Sequence, residues 1–209
     1  MTSMNFPPRT ISWLAIAIGG VTLLGIASLI LFFTIGGVFG LLNDMCNGLE
    51  TMLSAVLAWA LYPLCRARSA RLAGFTLIAA FIGALIATIG SALIIFDFTG
   101  WYLAGLYTMF GYALVGVWLF GLNAAALWIF PWPRRLAQLG LLTAVCMVIG
   151  FLAGPGILSG VDDVDAAPWV VNVGFLGSLG WMFLYPCWCV WLGRLLVANN
   201  ATMRIAAQT

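Results

Sequence analysis

The sequence contains no histidine and no lysine, and only 7% of its 209 residues are charged. A chain without histidine offers no histidine-ligated haem, no histidine–zinc site and no histidine proton relay, and a chain without lysine forms no Schiff base. The small charged fraction excludes a water-soluble domain, in which about a quarter of the residues carry a charge. We therefore expect a membrane protein that works without these side chains.

The sequence also shows neither a cysteine pattern nor a motif that indicates a metal site or a catalytic reaction. The five cysteines show no metal-ligand spacing, so we expect neither a disulfide framework nor a metal site. No nucleophile elbow, zinc-protease motif, Walker loop or dinucleotide fingerprint occurs. The sequence thus predicts no catalytic residues and no cofactor, and it favours a protein that is not an enzyme. Eight arginines, mostly in short turns, give no support for nucleic-acid binding.

Hydrophobic residues make up 64% of the chain and form six runs that match the roughly 20 residues needed to cross a bilayer. We predict an all-α, polytopic membrane helix bundle that forms a single domain, residues 1–209. The six predicted transmembrane helices cover residues 11–33, 39–65, 72–96, 101–130, 136–157 and 169–197. The fifth is expected to be interrupted near its end by Gly154-Pro155-Gly156.

Charged residues separate by sign along this topology. If the N-terminus is cytoplasmic, every arginine falls on the cytoplasmic side, as the positive-inside rule requires. The arginines are Arg9, Arg66, Arg68, Arg71, Arg134, Arg135, Arg194 and Arg204. All six acidic residues then fall in the outer half of the membrane or outside it. The pattern predicts that both the N-terminus and the C-terminus are cytoplasmic.

The second predicted helix carries the most polar face in the chain. At about 100° per residue, its polar side chains fall within an arc of roughly 120°, and the opposite arc is apolar. These polar residues are Asn43, Asp44, Asn47, Glu50, Thr51 and Ser54. Glu50 lies about 9 Å deeper along the helix axis than Asp44. This face is the strongest candidate for a functional site.

An ionised carboxylate in hydrocarbon costs on the order of 3 kcal/mol, and no arginine is expected in the outer half to pair with Glu50. A proton, a bound cation, water or another subunit must therefore neutralise or solvate it. One interpretation is an outward-facing polar pocket that binds or transports a small ligand or a cation, lined by Asn43, Asp44, Asn47 and Glu50, with Asp97 and Asn172 as further contributors. The alternative is a structural or accessory subunit of a membrane complex, in which the same residues hold helices together.

Other polar groups are expected at the same depth as this face. They are Thr88, Ser91, Tyr102, Tyr107 and Thr108. The acidic loop with Asp162, Asp163 and Asp165 offers oxygen ligands for Ca²⁺, but it lacks the glycine and the distal glutamate of an EF-hand. We predict that these three carboxylates are solvated loop charges.

Two stretches are similar to a known class of proteins. One leads from Asn43-Asp44 through Leu53-Ser54-Ala55-Val56-Leu57 to a basic turn, and the other is Pro133-Arg134-Arg135-Leu136-Ala137 with the residues that follow. Together they resemble small multi-pass proteins of bacterial cytoplasmic membranes that have no assigned activity. The resemblance implies a bundle in that membrane, with the lipid bilayer as its surroundings and room for a homo-oligomer or a partner subunit, and it transfers no site residue.

Overall fold

The computed structural model describes residues 6–129 and 132–206, without the side chains of residues 129 and 199–206. The regular structure in these ranges is helical. The first four helices are α1 (Pro8–Ile35), α2 (Val38–Arg66), α3 (Ala70–Ile95) and α4 (Trp101–Ile129). They are followed by α5 (Arg134–Val148), a 3₁₀ helix at Ile149–Ala153, and α6 (Gly154–Ser159). The last part comprises α7 (Trp169–Gly174), a 3₁₀ helix at Phe175–Gly177, a π-helix at Gly180–Leu184, and α8 (Tyr185–Ala206).

Six segments among the described residues are long and apolar enough to cross a membrane. They are helices α1 to α4, a fifth span at Arg134–Ser159 and a sixth span at Trp169–Ala198, with mean hydropathies of 1.3 to 2.5. The prediction of an all-α bundle of six transmembrane helices is confirmed. The chain has the architecture of a multi-pass membrane protein.

The spans form a closed ring in chain order. Each span packs against the next one in the sequence, and α8 closes the ring by packing along α1. Because the connections are short, neighbouring spans run antiparallel. Arg9, the α2–α3 turn with Arg66 and Arg68, and the start of α5 therefore lie at one end of the bundle, the arginine end. The α3–α4 turn with Asp97 lies at the opposite, acidic end.

Helices α2 and α4 are the most buried of the six spans. About 56% of the most apolar window of α2 and 61% of that of α4 are buried, against 33–39% in the other four spans. The outer helices turn large apolar side chains outward, as Phe75 and Leu85 of α3 illustrate. Such a surface is stable against lipid and unfavourable against water. The polar face of α2 is thereby directed toward protein.

The irregular regions of the fifth and sixth spans differ from the predictions. The fifth span departs from α-geometry at Ile149–Ala153, before the Gly154-Pro155-Gly156 triplet. Pro155 lies in the first turn of α6, where a missing N–H breaks no helical bond. The sixth span, predicted over residues 169–197, passes through 3₁₀ and π geometry before α8.

Close glycine contacts explain where these irregular regions occur. A Cβ atom on Gly177 would lie only 2.8 Å from the backbone nitrogen of Gly150, and one on Gly180 would lie 2.8 Å from that of Met147. The two spans therefore approach backbone to backbone at their irregular segments. Pro186, which has no N–H to donate, lies two residues after the end of the π-helix. Neither the glycine contacts nor the π-helix follows from the hydropathy of the sequence.

Candidate functional site

Glu50 lies in the middle of the bundle and is completely inaccessible to solvent. At 1.5 Å per residue, it is about 18 Å from the start of α2 at Val38 and about 24 Å from Arg66 at the end. This depth places it well inside the hydrocarbon region of a bilayer. Both carboxyl oxygens are buried, and neither has a hydrogen-bond partner.

Two hydroxyl groups from other helices lie beside this carboxyl group. Thr22 of α1 and Tyr112 of α4 both face it. The Thr22 hydroxyl is already engaged, because it donates a 2.9 Å hydrogen bond to the carbonyl oxygen of Ile18. The Tyr112 hydroxyl is buried and has no hydrogen-bond partner. The centre of the bundle therefore places an unbonded carboxyl group next to an unbonded phenol.

The sixth span completes the surroundings of Glu50. Tyr185 and Cys189 are buried and lie within electrostatic range of the Glu50 carboxyl group. The Tyr185 hydroxyl donates a 2.9 Å hydrogen bond to Ser54, and the Ser54 hydroxyl donates a 2.8 Å bond to the backbone carbonyl of Glu50. Tyr185 and Ser54 are therefore hydrogen-bonded, whereas the Glu50 carboxyl group and the Tyr112 hydroxyl are not.

The π-helix places an aromatic ring against Tyr112. The Trp181 ring stacks on the Tyr112 ring with centroids 4.6 Å apart and an interplanar angle of 4°. The Trp181 indole N–H is also buried and lacks a hydrogen-bond partner. Short π segments inside helices occur frequently at functional sites. A change in this segment would shift the ring that covers the phenol beside Glu50.

Helix α3 borders the site on another side. The hydroxyls of Thr51 and Thr88 lie 3.3 Å apart and join α2 to α3. The Ser91 hydroxyl, one turn nearer the acidic end, is buried without a partner and lies close to Gly48. Small residues such as Gly48 allow helices in a membrane to approach closely. The α2–α3 contact thus combines one polar pair with one unbonded hydroxyl.

The predicted ligand residues nearer the acidic end are all half-buried. Asn43, Asp44 and Asn47 follow Glu50 up the same face of α2. The Asn43 amide donates a 3.3 Å hydrogen bond to Asp44, and its oxygen points toward Gly25 of α1. These three residues form a polar strip between Glu50 and the acidic end.

The other two predicted contributors lie elsewhere. Asp97 is exposed in the turn between α3 and α4, where it adopts a left-handed backbone conformation with φ of 57°. Asn172 on α7 accepts a 2.9 Å hydrogen bond from the Tyr102 hydroxyl at the start of α4. That contact ties α7 to α4 and does not involve the polar face of α2.

The acidic loop contains a residue whose role the sequence did not indicate. The Asp162 carboxylate accepts hydrogen bonds from the backbone N–H groups of Gly100 and Leu103, the latter at 2.9 Å. Asp162 is exposed, as predicted for a loop charge, but it also has a bonding role that the prediction did not include. A carboxylate at this position satisfies free donors at the start of α4 and complements the helix dipole.

The sequence also missed the residues that surround Glu50. Thr22, Tyr112, Trp181 and Tyr185 come from three different spans, so no local pattern on α2 reveals them. One signal was present: tyrosine usually lies at membrane interfaces, and Tyr112 lies about 16 Å along α4 from its start. A tyrosine at mid-span indicates a polar neighbour in the bundle.

The positions of the cavities and of the metal-ligating side chains limit what the region around Glu50 can bind. A cavity of about 890 Å³ and one of about 320 Å³ lie on the outer surface of the described chain, and neither is lined by Glu50 or Asn43. Among the described residues, no three histidine, cysteine, aspartate or glutamate side chains are grouped so as to hold a metal ion. The Glu50 side chain itself is closed off from solvent.

No known protein family matches the chain, and no curated protein or solved structure shows significant similarity to it.

Proposed function

We propose that Glu50 is the proton-binding residue of a membrane transport protein, here in a closed conformation. The observation that carries this proposal is the fully buried Glu50 carboxyl group, whose two oxygens have no hydrogen-bond partner. Buried polar groups are almost always hydrogen-bonded, so an unbonded acid in the membrane interior requires a specific explanation.

Charge supports a proton as the ligand. An unpaired ionised carboxylate in this environment costs several kcal/mol, and no arginine faces Glu50 among the described residues. Protonation removes that cost without any change in packing. The neutral acid also gains a donor, and the Tyr112 hydroxyl beside it offers an acceptor.

Geometry favours a proton over a metal cation. Hard cations take six or more oxygen ligands, whereas one carboxyl group and two hydroxyls face this position, and the Thr22 hydroxyl already donates to its own helix. A proton needs no cavity, which agrees with the inaccessibility of Glu50 to solvent. The half-buried strip of Asn47, Asp44 and Asn43 supplies a polar route from Glu50 toward the acidic end.

Proton flux through reconstituted protein tests this proposal. The full chain is sealed into vesicles that contain a pH-sensitive dye, and a pH gradient with a compensating potassium current is imposed. We expect the wild-type protein to dissipate the gradient and Glu50→Gln to behave like protein-free vesicles. Asp165→Asn, which removes an exposed loop carboxylate, is the matched control and should behave like the wild type.

A second variant separates function from folding. Tyr112→Phe removes the hydroxyl that faces Glu50 and keeps the ring that stacks on Trp181, so the protein should fold and show slower flux. Flux through Glu50→Gln at the wild-type rate would contradict the proposal. If sodium uptake at constant pH depends on Glu50, the transported ion is a metal cation and not a proton.

A structural or accessory role is the second candidate, and specific contacts favour it. The Tyr185–Ser54 and Thr51–Thr88 pairs join α2 to the sixth span and to α3. Polar contacts of this kind hold transmembrane helices together. Under this alternative, neither the wild type nor Glu50→Gln dissipates the gradient, and Glu50→Gln changes only the unfolding temperature.

A further inference from the structure

We propose that the groove between α1 and the sixth span binds one anionic phospholipid, with its acyl chain in the groove and its phosphate on Arg194. The groove has a volume of about 890 Å³ and lies on the outer surface of the bundle. Its walls are apolar side chains with one charged residue, Arg194. This site does not depend on the proton chemistry proposed for Glu50.

The apolar part of the groove lies at the depth of acyl chains. Leu23 of α1 and Phe183 of the sixth span line it and are 61% and 52% exposed. Leu23 is about 22 Å along α1 from Pro8, so this part lies near the middle of the bilayer. Side chains exposed to this degree on a membrane-spanning segment face hydrocarbon rather than protein.

The length of the groove corresponds to one leaflet. Phe183 and Arg194 are separated by a rise of about 16 Å, close to half of the roughly 30 Å hydrocarbon thickness. The groove therefore begins near the bilayer centre and reaches the headgroup region at the arginine end. Trp191, one turn before Arg194, also lines it, and tryptophan favours this interfacial depth.

The charge at the end of the groove selects the headgroup. Arg194 is exposed, and its guanidinium group is the charged group in the lining of the groove. A guanidinium group binds a phosphate through paired N–H donors, and basic pockets between transmembrane helices bind anionic headgroups. A zwitterionic lipid carries its own cationic group beside the phosphate, so it gains less binding free energy from Arg194.

A second copy of this chain fits the groove poorly. Its acidic residues lie in the middle of the bundle or at the acidic end, so a copy in the same orientation presents no carboxylate at the depth of Arg194. An apolar helix surface would cover the groove and leave the guanidinium group without a partner. The phospholipid satisfies both parts of the site.

Photochemical labelling locates the lipid directly. The full chain is reconstituted in phosphatidylcholine vesicles that contain a small fraction of phosphatidylglycerol with a diazirine in the middle of one acyl chain. After irradiation and digestion, we expect label on peptides containing Leu23 and Phe183. Arg194→Gln should reduce this label about fivefold, the effect of one cationic contact near the membrane surface.

Matched variants and a second probe make the result decisive. Arg68→Gln removes an exposed arginine from the same end of the bundle, outside the groove, and should leave the label unchanged. Leu23→Trp fills the apolar part and should reduce the label while keeping the charge. Label spread evenly over the outer helices would overturn the proposal. Equal labelling by the phosphatidylcholine analogue, or no difference between Arg194→Gln and Arg68→Gln, would overturn it as well.

Discussion

Buried polar side chains on α2 differ in how they satisfy their hydrogen bonds. Thr51 and Ser54 have short side chains that donate to backbone carbonyls one turn earlier in the same helix. Glu50 has a longer side chain that accepts rather than donates when ionised, so it must find its partners on other helices. Side-chain length and chemistry thus explain why only the acid among these three is unbonded.

Asp162 shows the opposite case, in which a carboxylate from a distant loop has hydrogen-bond partners. Its carboxylate accepts from Gly100 and Leu103, about 60 residues earlier in the chain, and holds the loop of the acidic end against α4. The residues before α4 do not indicate this cap, because the capping carboxylate comes from another part of the fold. This contact ties the loop between the fifth and sixth spans to the bundle.

Removing the Asp162 carboxylate should destabilise the protein. We expect Asp162→Ala to lower the free energy of unfolding by about 1 kcal/mol, the usual value of a helix N-cap. Unfolding in mixed micelles, followed by circular dichroism, measures this change. Asp165→Ala removes a neighbouring exposed carboxylate that makes no contact with α4, and it should have little effect. Equal destabilisation by both variants would show that loop charge, not capping, matters.

Glycine decides how closely the elements approach one another. On α3 and α4, Gly83 and Gly111 face each other so closely that a Cβ on either would lie 2.5 Å from the carbonyl oxygen of the other. The same principle brings Gly150 of the fifth span against Gly177 of the sixth. In a membrane, where lipid is as apolar as leucine, such close packing replaces the hydrophobic effect between helices.

Two glycines of α3 allow a matched test of this packing. Gly83→Ala forces a methyl group into the backbone of α4, and we expect it to lower the free energy of unfolding by about 1–3 kcal/mol. At Gly74 on the same helix, a Cβ would meet no other atom within 4 Å. Gly74→Ala should therefore be neutral or stabilising by up to about 1 kcal/mol, because alanine favours helix. Similar losses in the two variants would contradict the close contact.

The whole molecule separates its charges by end. The described arginines gather at one end of the ring, and the loops with Asp97 and Asp162 form the other. The positive-inside rule predicts that the arginine end faces the cytoplasm. This orientation also determines which leaflet supplies the lipid proposed for Arg194 and from which side the polar strip of α2 is reached.

Labelling of single cysteines in intact cells tests the orientation. In a background where the five native cysteines are replaced by serine or alanine, we expect Asp97→Cys to react with a membrane-impermeant maleimide. Arg68→Cys, in the turn at the opposite end, should react only after the membrane is permeabilised. Reaction of Arg68→Cys alone in intact cells would invert the topology, and reaction of both would indicate a mixed population.

The sequence by itself determined the class, the number of spans and the most polar face. These properties depend on run length, on residue spacing along one helix and on charge order, all of which are local. The positions of α1 to α4 agree with the predictions to within three residues at each end. Glu50 was identified because an acid within an apolar run stands out without any knowledge of its neighbours.

Only the tertiary structure decided what surrounds Glu50. Thr22, Tyr112 and Tyr185 reach it from α1, α4 and the sixth span, and closure of the ring by α8 against α1 brings them together. The irregular geometry at Ile149–Ala153 and Gly180–Leu184 likewise arises where two backbones meet through glycine. Hydropathy reports how each residue partitions between lipid and protein, but it does not report which protein atoms meet, because that depends on packing between distant segments.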